Sequence, residues 1–167
     1  MTTAPGTTVP TASSSVRSSV VPPVVPEGFE AVVLRVVAAD GTVSELCVLL
    51  AATDGQRAQG LMGVTSLGGY DGMLFDFGGT VSGRFWMRDT LIPLSIAFFD
   101  EGGALVSTTD MEPCPATTSD ADCPRYGAAR PFARALEVAQ GDLERLGIEP
   151  GVRAASSESE SCSRTAV

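Results

Sequence analysis

The sequence predicts an all-β domain with minor α content, a small jelly-roll-like barrel or sandwich with one or two short helices. β-branched and aromatic residues recur in short runs of strand length. Glycine-rich turns separate these runs at fairly regular spacing, as in sandwiches and barrels. The length of 167 residues and the 44% hydrophobic content allow one domain with a real core.

The composition divides the chain into three parts. Residues 1–28 are rich in Ser, Thr and Pro, and such a segment buries too little apolar surface to offset its ordering entropy. We therefore predict a disordered linker over 1–28, a β domain over 29–153 and a second disordered, Ser-rich tail over 154–167.

The first half of the domain predicts a hairpin followed by a short helix. Phe29–Ala39 alternates and is rich in valine, Asp40-Gly41 is a two-residue turn signal, and Thr42–Leu50 is the returning strand. Thr53–Met62 has a capping residue and weak helical spacing, which predicts a short helix ending near Gly60 or Gly63.

The second half predicts further short strands around one long loop. Residues 111–131 contain four Pro and two Cys, and this composition predicts a long irregular loop. Loops of this length are usually functional or disordered. Gly141–Leu146 predicts a helical turn. The predicted strands are Met73–Phe77, Arg84–Met87, Leu94–Phe99, Ala104–Asp110, Phe132–Val138 and Gly151–Arg153.

The composition excludes several chemistries. The chain has no His, and its 11 basic residues are all Arg. Ser-His-Asp and Cys-His nucleophiles, a Ser-Lys pair and His-ligated metals are therefore excluded. A net charge of −9 argues against nucleic acid and anionic membrane surfaces as main partners. No apolar stretch is long enough for a membrane span, and no signal-peptide pattern opens the sequence.

A series of short motifs stands in order across the domain: Gly60-Leu61-Met62, Gly72-Met73-Leu74-Phe75, Phe85-Trp86-Met87, Thr90-Leu91-Ile92-Pro93-Leu94, Met111-Glu112-Pro113-Cys114, Cys123-Pro124, Tyr126 and Ala135-Leu136-Glu137-Val138. With these motifs, residues 30–153 resemble the bacterial and archaeal family called domain of unknown function 192. The resemblance implies a compact, mostly β domain, often found in exported or lipid-anchored proteins. It implies no settled biochemical activity.

The chain departs from that family's pattern at polar positions. Val64 stands where the family commonly has Arg, Asp89 where it has Asn, and Ser95 where it has Asp. If those polar residues form a shared site in the family, two of its members are missing here and one has changed from amide to acid.

The cysteines leave three interpretations open. Cys114 and Cys123 lie nine residues apart in the long loop, close enough for a disulfide, which favours an oxidising compartment. Two free thiols or half of a metal site are the alternatives, although the absence of CxxC and His makes zinc the weakest. Cys47 is interpreted as a buried structural thiol, and Cys162 carries no signal.

A candidate ligand site is predicted where polar residues interrupt an aromatic strand beside the long loop. Trp86 could line a cleft with Tyr70 and Tyr126, although core packing is the competing interpretation. Acids at strand ends could act as a pair, or be ordinary solvated turn residues. The candidate residues are Trp86, Arg88, Asp89, Thr90, Asp110, Glu112 and Tyr126.

These features support a binding or accessory module for a small ligand, glycan or envelope partner outside the cytoplasm, with a cytoplasmic location left open. The alternative is an enzyme that uses Asp89 with Asp110 or Glu112, with or without a divalent cation, on an envelope polymer. A structural module without a site is the third interpretation. The sequence predicts no cofactor and no protein-built metal site, and it leaves enzymatic activity open.

Overall fold

A computed structural model describes Met1, Val24 and residues 26–162. The predicted linker over 1–28 lies almost entirely outside the described residues, as does the end of the chain from residue 163. Val24 contacts the domain: its amide donates to Thr65 Oγ1 at 2.8 Å, and its carbonyl accepts from the Thr65 amide at 2.8 Å.

The described residues form nine strands and one short helix. The strands near Leu94 and Phe132 match their predicted bounds within one residue, because each is a continuous apolar run. The elements are β1 Glu30–Val37, β2 Val43–Ala51, α1 Asp54–Gln59, β3 Gly72–Val81, β4 Arg84–Trp86, β5 Leu94–Phe99, β6 Leu105–Met111, β7 Arg125–Gly127, β8 Phe132–Ala139 and β9 Arg153–Ser161.

Seven strands form one mixed sheet in the order β6-β5-β8-β3-β2-β1-β9, and β4 pairs with β7 in a separate two-stranded sheet. All neighbours are antiparallel except β2 and β3, which run parallel and are connected through α1. The all-β class with minor helix is confirmed. The finer jelly-roll assignment stays a prediction.

The large sheet buries apolar side chains on both faces. Along β8 the side chains alternate: Ala135 belongs to one core cluster and Leu136 and Val138 to the other. The first cluster, with Phe75, Phe98 and Phe132, lies on the face that β4 and β7 cover. A central strand that is buried on both faces explains why residues 132–139 contain so few polar side chains.

Helix α1 begins and ends as the sequence predicts. Thr53 is its N-cap and forms a capping box with Gln56, and Gly60 closes it with a φ of 47°. The helix has six residues. A helix this short is marginal in isolation, so contacts with the sheet must hold it in place.

The predicted disordered tail is contradicted over residues 154–162. Residues from Arg153 to Ser161 form β9, which pairs with β1 at the edge of the sheet, and Cys162 forms a disulfide with Cys47. Cys47 is therefore not the free buried thiol that was predicted. Backbone hydrogen bonds and the covalent link hold this strand, so it needs few of the apolar residues by which strands are recognised.

The long loop over residues 111–131 is less irregular than predicted. It contains β7, which pairs with β4 in the register Phe85↔Tyr126. The predicted disulfide between Cys114 and Cys123 is confirmed, with their Cα atoms 5.9 Å apart. The disulfide closes the segment immediately before β7 and thereby fixes where that strand can lie.

Candidate functional site

A cavity of about 190 Å³ lies between the large sheet and the elements that cover it. Strands β3 and β8 supply its floor, α1 and the turn that follows supply one wall, and β4 supplies another. Its lining residues are Arg57, Ala58, Gln59, Gly60, Leu61, Met62, Phe75, Phe77, Gly83, Arg84, Phe85, Trp86, Thr90 and Glu137.

Aromatic rings form most of the apolar lining. Phe75 and Phe85 meet edge to face with centroids 5.1 Å apart, and Phe77 meets Phe85 at 6.2 Å. Such edge-to-face contacts fix ring orientation beyond what area burial alone provides. The wall on this side is therefore pre-formed.

Glu137 is a buried acid on the floor of this cavity. It lies on central strand β8 between its cross-strand neighbours Met73 and Ile96, and only 4% of its surface is exposed. Among the described residues its carboxyl has no hydrogen-bond or ion-pair partner. Burial raises the pKa of the Glu137 carboxyl to about 8, because transfer from water disfavours the charged form. The carboxyl therefore carries its proton at neutral pH.

The turn after β4 brings Asp89 and Thr90 to one side of the cavity. Asp89 has a φ of 53°, the one positive value outside glycine in the described chain. Its amide donates to the Cys114 carbonyl at 2.9 Å, and its carbonyl accepts from the Gly63 amide at 2.8 Å. Thr90 is buried and lines the cavity, whereas Asp89 does not line it.

Arg88 joins this turn to the disulfide loop. Its guanidinium donates to the Thr118 carbonyl at 2.6 Å and pairs with Asp120 at 2.8 Å. It also lies 3.6 Å from the Asp89 carboxylate. Three contacts on one partly buried side chain indicate a structural clamp, which leaves the guanidinium little freedom to bind a ligand.

Trp86 stacks against the strand opposite it. The Arg125 guanidinium lies 3.8 Å from the Trp86 ring centroid, within cation–π range. Trp86 is half-buried, packs against the core cluster and lines the cavity. Tyr126 is not part of the cavity lining, and its hydroxyl accepts from the Glu112 amide at 3.2 Å. Tyr70 does not line the cavity and packs against the core.

The remaining predicted acids have other partners. The Asp110 carboxylate accepts from the buried Ser95 hydroxyl at 2.5 Å, and the Glu112 carboxylate accepts from the side-chain amide of Gln140 at 3.0 Å. Within the described ranges, no three His, Cys, Asp or Glu residues group as metal ligands would. The paired-carboxylate hypothesis for Asp89 therefore gains no support from a shared contact, and it stays a prediction.

The structure thus brings Trp86 and Thr90 to one cavity, with Arg88 and Asp89 beside it, but gives Asp110, Glu112 and Tyr126 separate contacts. Sequence reasoning missed Glu137. A signal was present, because Glu137 is the one acid in the apolar segment Ala135–Ala139, where a charge is costly.

At two positions where the chain departs from the family's pattern, Val64 and Ser95, the side chains make contacts that stabilise the fold. Val64 is buried in the core cluster. The Ser95 hydroxyl joins β5 to β6 and accepts from the Gly141 amide at 3.0 Å. Neither residue leaves an open polar position in the cavity.

The sequence matches the model of the family DUF192, described as "Uncharacterized ACR", over residues 35–155. The chain belongs to the DUF192 family. This family has no assigned activity, so membership confirms the resemblance and leaves function to the site. The chain matches no curated protein.

Two solved structures share this fold. One is a protein from Sinorhizobium meliloti 1021 described as a "putative transcription regulator", with 30% identity and a TM-score of 0.65 over 78% of this chain and 97% of that one. The other is a protein of unknown function from Novosphingobium aromaticivorans DSM 12444, with 29% identity and a TM-score of 0.66 over 86% and 99%. In the part of this DUF192 chain that the structure describes, no helix is long and apolar enough to cross a bilayer.

Proposed function

We propose that this DUF192 domain is a small-molecule-binding module that works outside the cytoplasm, with the cavity under β4 as its site. The single observation that carries the proposal is Glu137. A buried carboxyl without a partner costs stability, and folded proteins rarely keep one without a use for it.

The surroundings of Glu137 favour ligand binding. Aromatic side chains with a few convergent polar groups are the usual lining of small-molecule sites. Here the polar side chains of the lining are Arg57, Gln59, Arg84, Thr90 and Glu137. The volume of about 190 Å³ is below the range for drug-sized ligands, ~300–1,000 Å³, and suits a single ring or a short chain.

The compartment is inferred from the cysteines. All four form disulfides, Cys47–Cys162 and Cys114–Cys123. Disulfides persist in oxidising compartments and are rare in reducing cytosol. A location in the cell envelope or outside the cell supplies that condition.

The test is a thermal-shift screen of the disulfide-intact chain against small metabolites, run in parallel on Glu137→Leu and Trp86→Ala. We expect at least one class of compound to raise Tm, and the shift to disappear in both variants, because each changes the cavity lining. Glu144→Gln, an exposed acid away from the cavity, is the matched control and keeps the shift.

Two outcomes contradict the proposal. One is that no compound raises Tm in the unmodified chain. The other is that the shift persists in Glu137→Leu and Trp86→Ala, which would place the binding site elsewhere on the molecule.

A further inference from the structure

Arginine side chains surround the entrance of the cavity. Arg57 and Arg84 line the cavity itself, and a depression of about 390 Å³ that shares Gly83 and Arg84 with it is also lined by Arg125 and Arg130. No acid lines that depression. The entrance thus collects four of the 11 basic residues of a chain whose net charge is −9.

Two of these arginines are not neutralised. Arg57 is paired with Asp54 and donates to the Asp76 carbonyl at 2.6 Å, and Arg130 lies 3.7 Å from Asp100. Arg84 and Arg125 are both exposed. Over residues 26–162, neither has a carboxylate within ion-pairing distance.

The small sheet places these two arginines on the same face as Trp86. Trp86 is paired with Arg125, and Arg84 is paired with Gly127, so their side chains project from one face. A Cβ atom on Gly127 would lie 3.3 Å from Arg84 Cγ, so the glycine leaves room for the arginine stem. The opposite face carries Phe85 and Tyr126 and packs on the core.

We propose that the ligand of this cavity is a small organic acid, whose carboxylate binds Arg84 at the entrance and whose apolar body lies against the rings of Phe77 and Phe85. This inference rests on the proposed function and specifies its ligand. A guanidinium matches the planar geometry of a carboxylate with two parallel hydrogen bonds.

The charges of the cavity lining support an anion over a cation. Arg57 from α1 and Arg84 from β4 are its two cationic groups, and Glu137 from β8 is its one acid. The cross-strand neighbours of Glu137 on β3 and β5, Met73 and Ile96, are apolar. With the Glu137 carboxyl protonated, the lining carries a net positive charge and the acid can donate a hydrogen bond to a bound oxygen.

The test compares three probes of one size but different charge by titration calorimetry on the full, disulfide-intact chain: phenylacetate, phenylacetamide and 2-phenylethylamine. We expect phenylacetate to bind about tenfold or more tightly than the amide, since a hydrogen bond to a charged group contributes ~1.5–3 kcal/mol. The amine is expected to bind least.

Arg84→Gln separates the inference from the general proposal. This variant should lose about tenfold or more in phenylacetate affinity and keep its affinity for the amide. Arg145→Gln is the matched control, because Arg145 is exposed, pairs with Asp142 and lines neither cavity, and it should change nothing.

The pH profile gives an independent readout. Phenylacetate affinity should fall as pH rises through about 8, because ionised Glu137 repels the carboxylate, and Glu137→Gln should remove that fall. If phenylacetamide or the amine binds as tightly as phenylacetate, the ligand is not an organic acid, although the proposal of small-molecule binding is not contradicted. If none of the three probes binds, the inference is overturned. If the metabolite screen also finds nothing, the proposed function fails with it.

Discussion

Asp89 is held in a left-handed backbone conformation by its neighbours. Hydrogen bonds from its amide to Cys114 and from Gly63 to its carbonyl fix the turn, with φ at 53°. Asp and Asn tolerate this region better than other residues with side chains. Its Oδ1 atom, however, is buried and without a donor among the described residues.

Replacing that carboxylate should therefore stabilise the domain. Asp89→Asn keeps the tolerance for positive φ and removes a buried charged acceptor, so we expect the free energy of unfolding to rise by about 1 kcal/mol. Urea unfolding measures it, with the exposed Glu149→Gln as control. A loss of stability would mean that the pairing of Asp89 with Arg88 outweighs the unpartnered oxygen.

Glu137 predicts a pH dependence of stability. Its folded pKa of about 8 lies above the ordinary value of 4.5, so the folded state holds a proton that the unfolded state releases between these values. Stability should thus fall by up to ~1.4 kcal/mol per pH unit across this window and level off above it.

Urea unfolding from acid to mildly alkaline pH, compared with Glu137→Gln, isolates this contribution from the other acids. The free energy of unfolding of Glu137→Gln should increase relative to that of the unmodified chain as pH rises towards about 8. A constant difference between the two proteins at all pH values would show that Glu137 titrates normally in the folded state.

At the level of single residues, the sequence directs attention to places where polar residues interrupt an apolar pattern. Trp86 and Thr90 attracted attention because polar groups follow aromatic ones there, and both line the cavity. Glu137 was overlooked because the sequence of a strand does not show which other strands lie beside it and therefore what surrounds its one acid. Only the pairing of β8 with β3 and β5 shows that Glu137 has apolar neighbours on both sides.

Strand β9 shows what holds an element that composition does not predict. The segment Arg153–Ser161 is rich in Ser and Glu, yet it forms the edge of the sheet. Its pairing with β1 uses backbone groups, which every residue type provides. The Cys47–Cys162 disulfide then adds a constraint between cysteines 115 residues apart, a distance at which sequence gives no pairing.

The two disulfides should contribute unequally to stability. In the loop-entropy model, closing 115 residues stabilises by about 5 kcal/mol and closing nine by about 3 kcal/mol. In urea unfolding, Cys47→Ala/Cys162→Ala should therefore lower the free energy of unfolding more than Cys114→Ala/Cys123→Ala does. Equal losses would indicate that loop length does not determine how much each disulfide stabilises the domain.

The short disulfide should matter more for binding. Its loop precedes β7, whose Arg125 stacks on Trp86. We therefore expect Cys114→Ala/Cys123→Ala to weaken phenylacetate binding and Cys47→Ala/Cys162→Ala to leave the affinity unchanged. Calorimetry on both variants makes this comparison. The reverse order would mean that the position of β7 is set by its pairing with β4 alone.

At the scale of the whole molecule, the sequence predicted the class of fold and most strands, because local alternation and turns carry that information. The sheet order was not predictable, since it depends on pairings between distant segments. The position of the cavity follows from that order. It forms where β3 and β8 meet at the centre of the sheet and the small sheet covers them.

Charge is also organised at this scale. The molecule carries −9 overall, but two exposed arginines without carboxylate partners among the described residues, Arg84 and Arg125, share a face with Trp86 beside the cavity. A negative molecule with a local positive entrance repels polyanions at long range and still admits a small anion at short range, since salt screens distant charges. The composition alone indicates only the long-range repulsion of polyanions.

The order of strands has a kinetic consequence. β1 lies between β2 and β9, so the first strand of the described residues completes its pairing only with the last. The sheet therefore has an open, hydrogen-bonding edge during synthesis, and pairings between such distant segments close slowly. Until β9 pairs, the valine-rich strand β1 is the edge and is exposed to aggregation. Afterwards the edge is β9, which is rich in Ser and Glu, and the Cys47–Cys162 disulfide holds it in place.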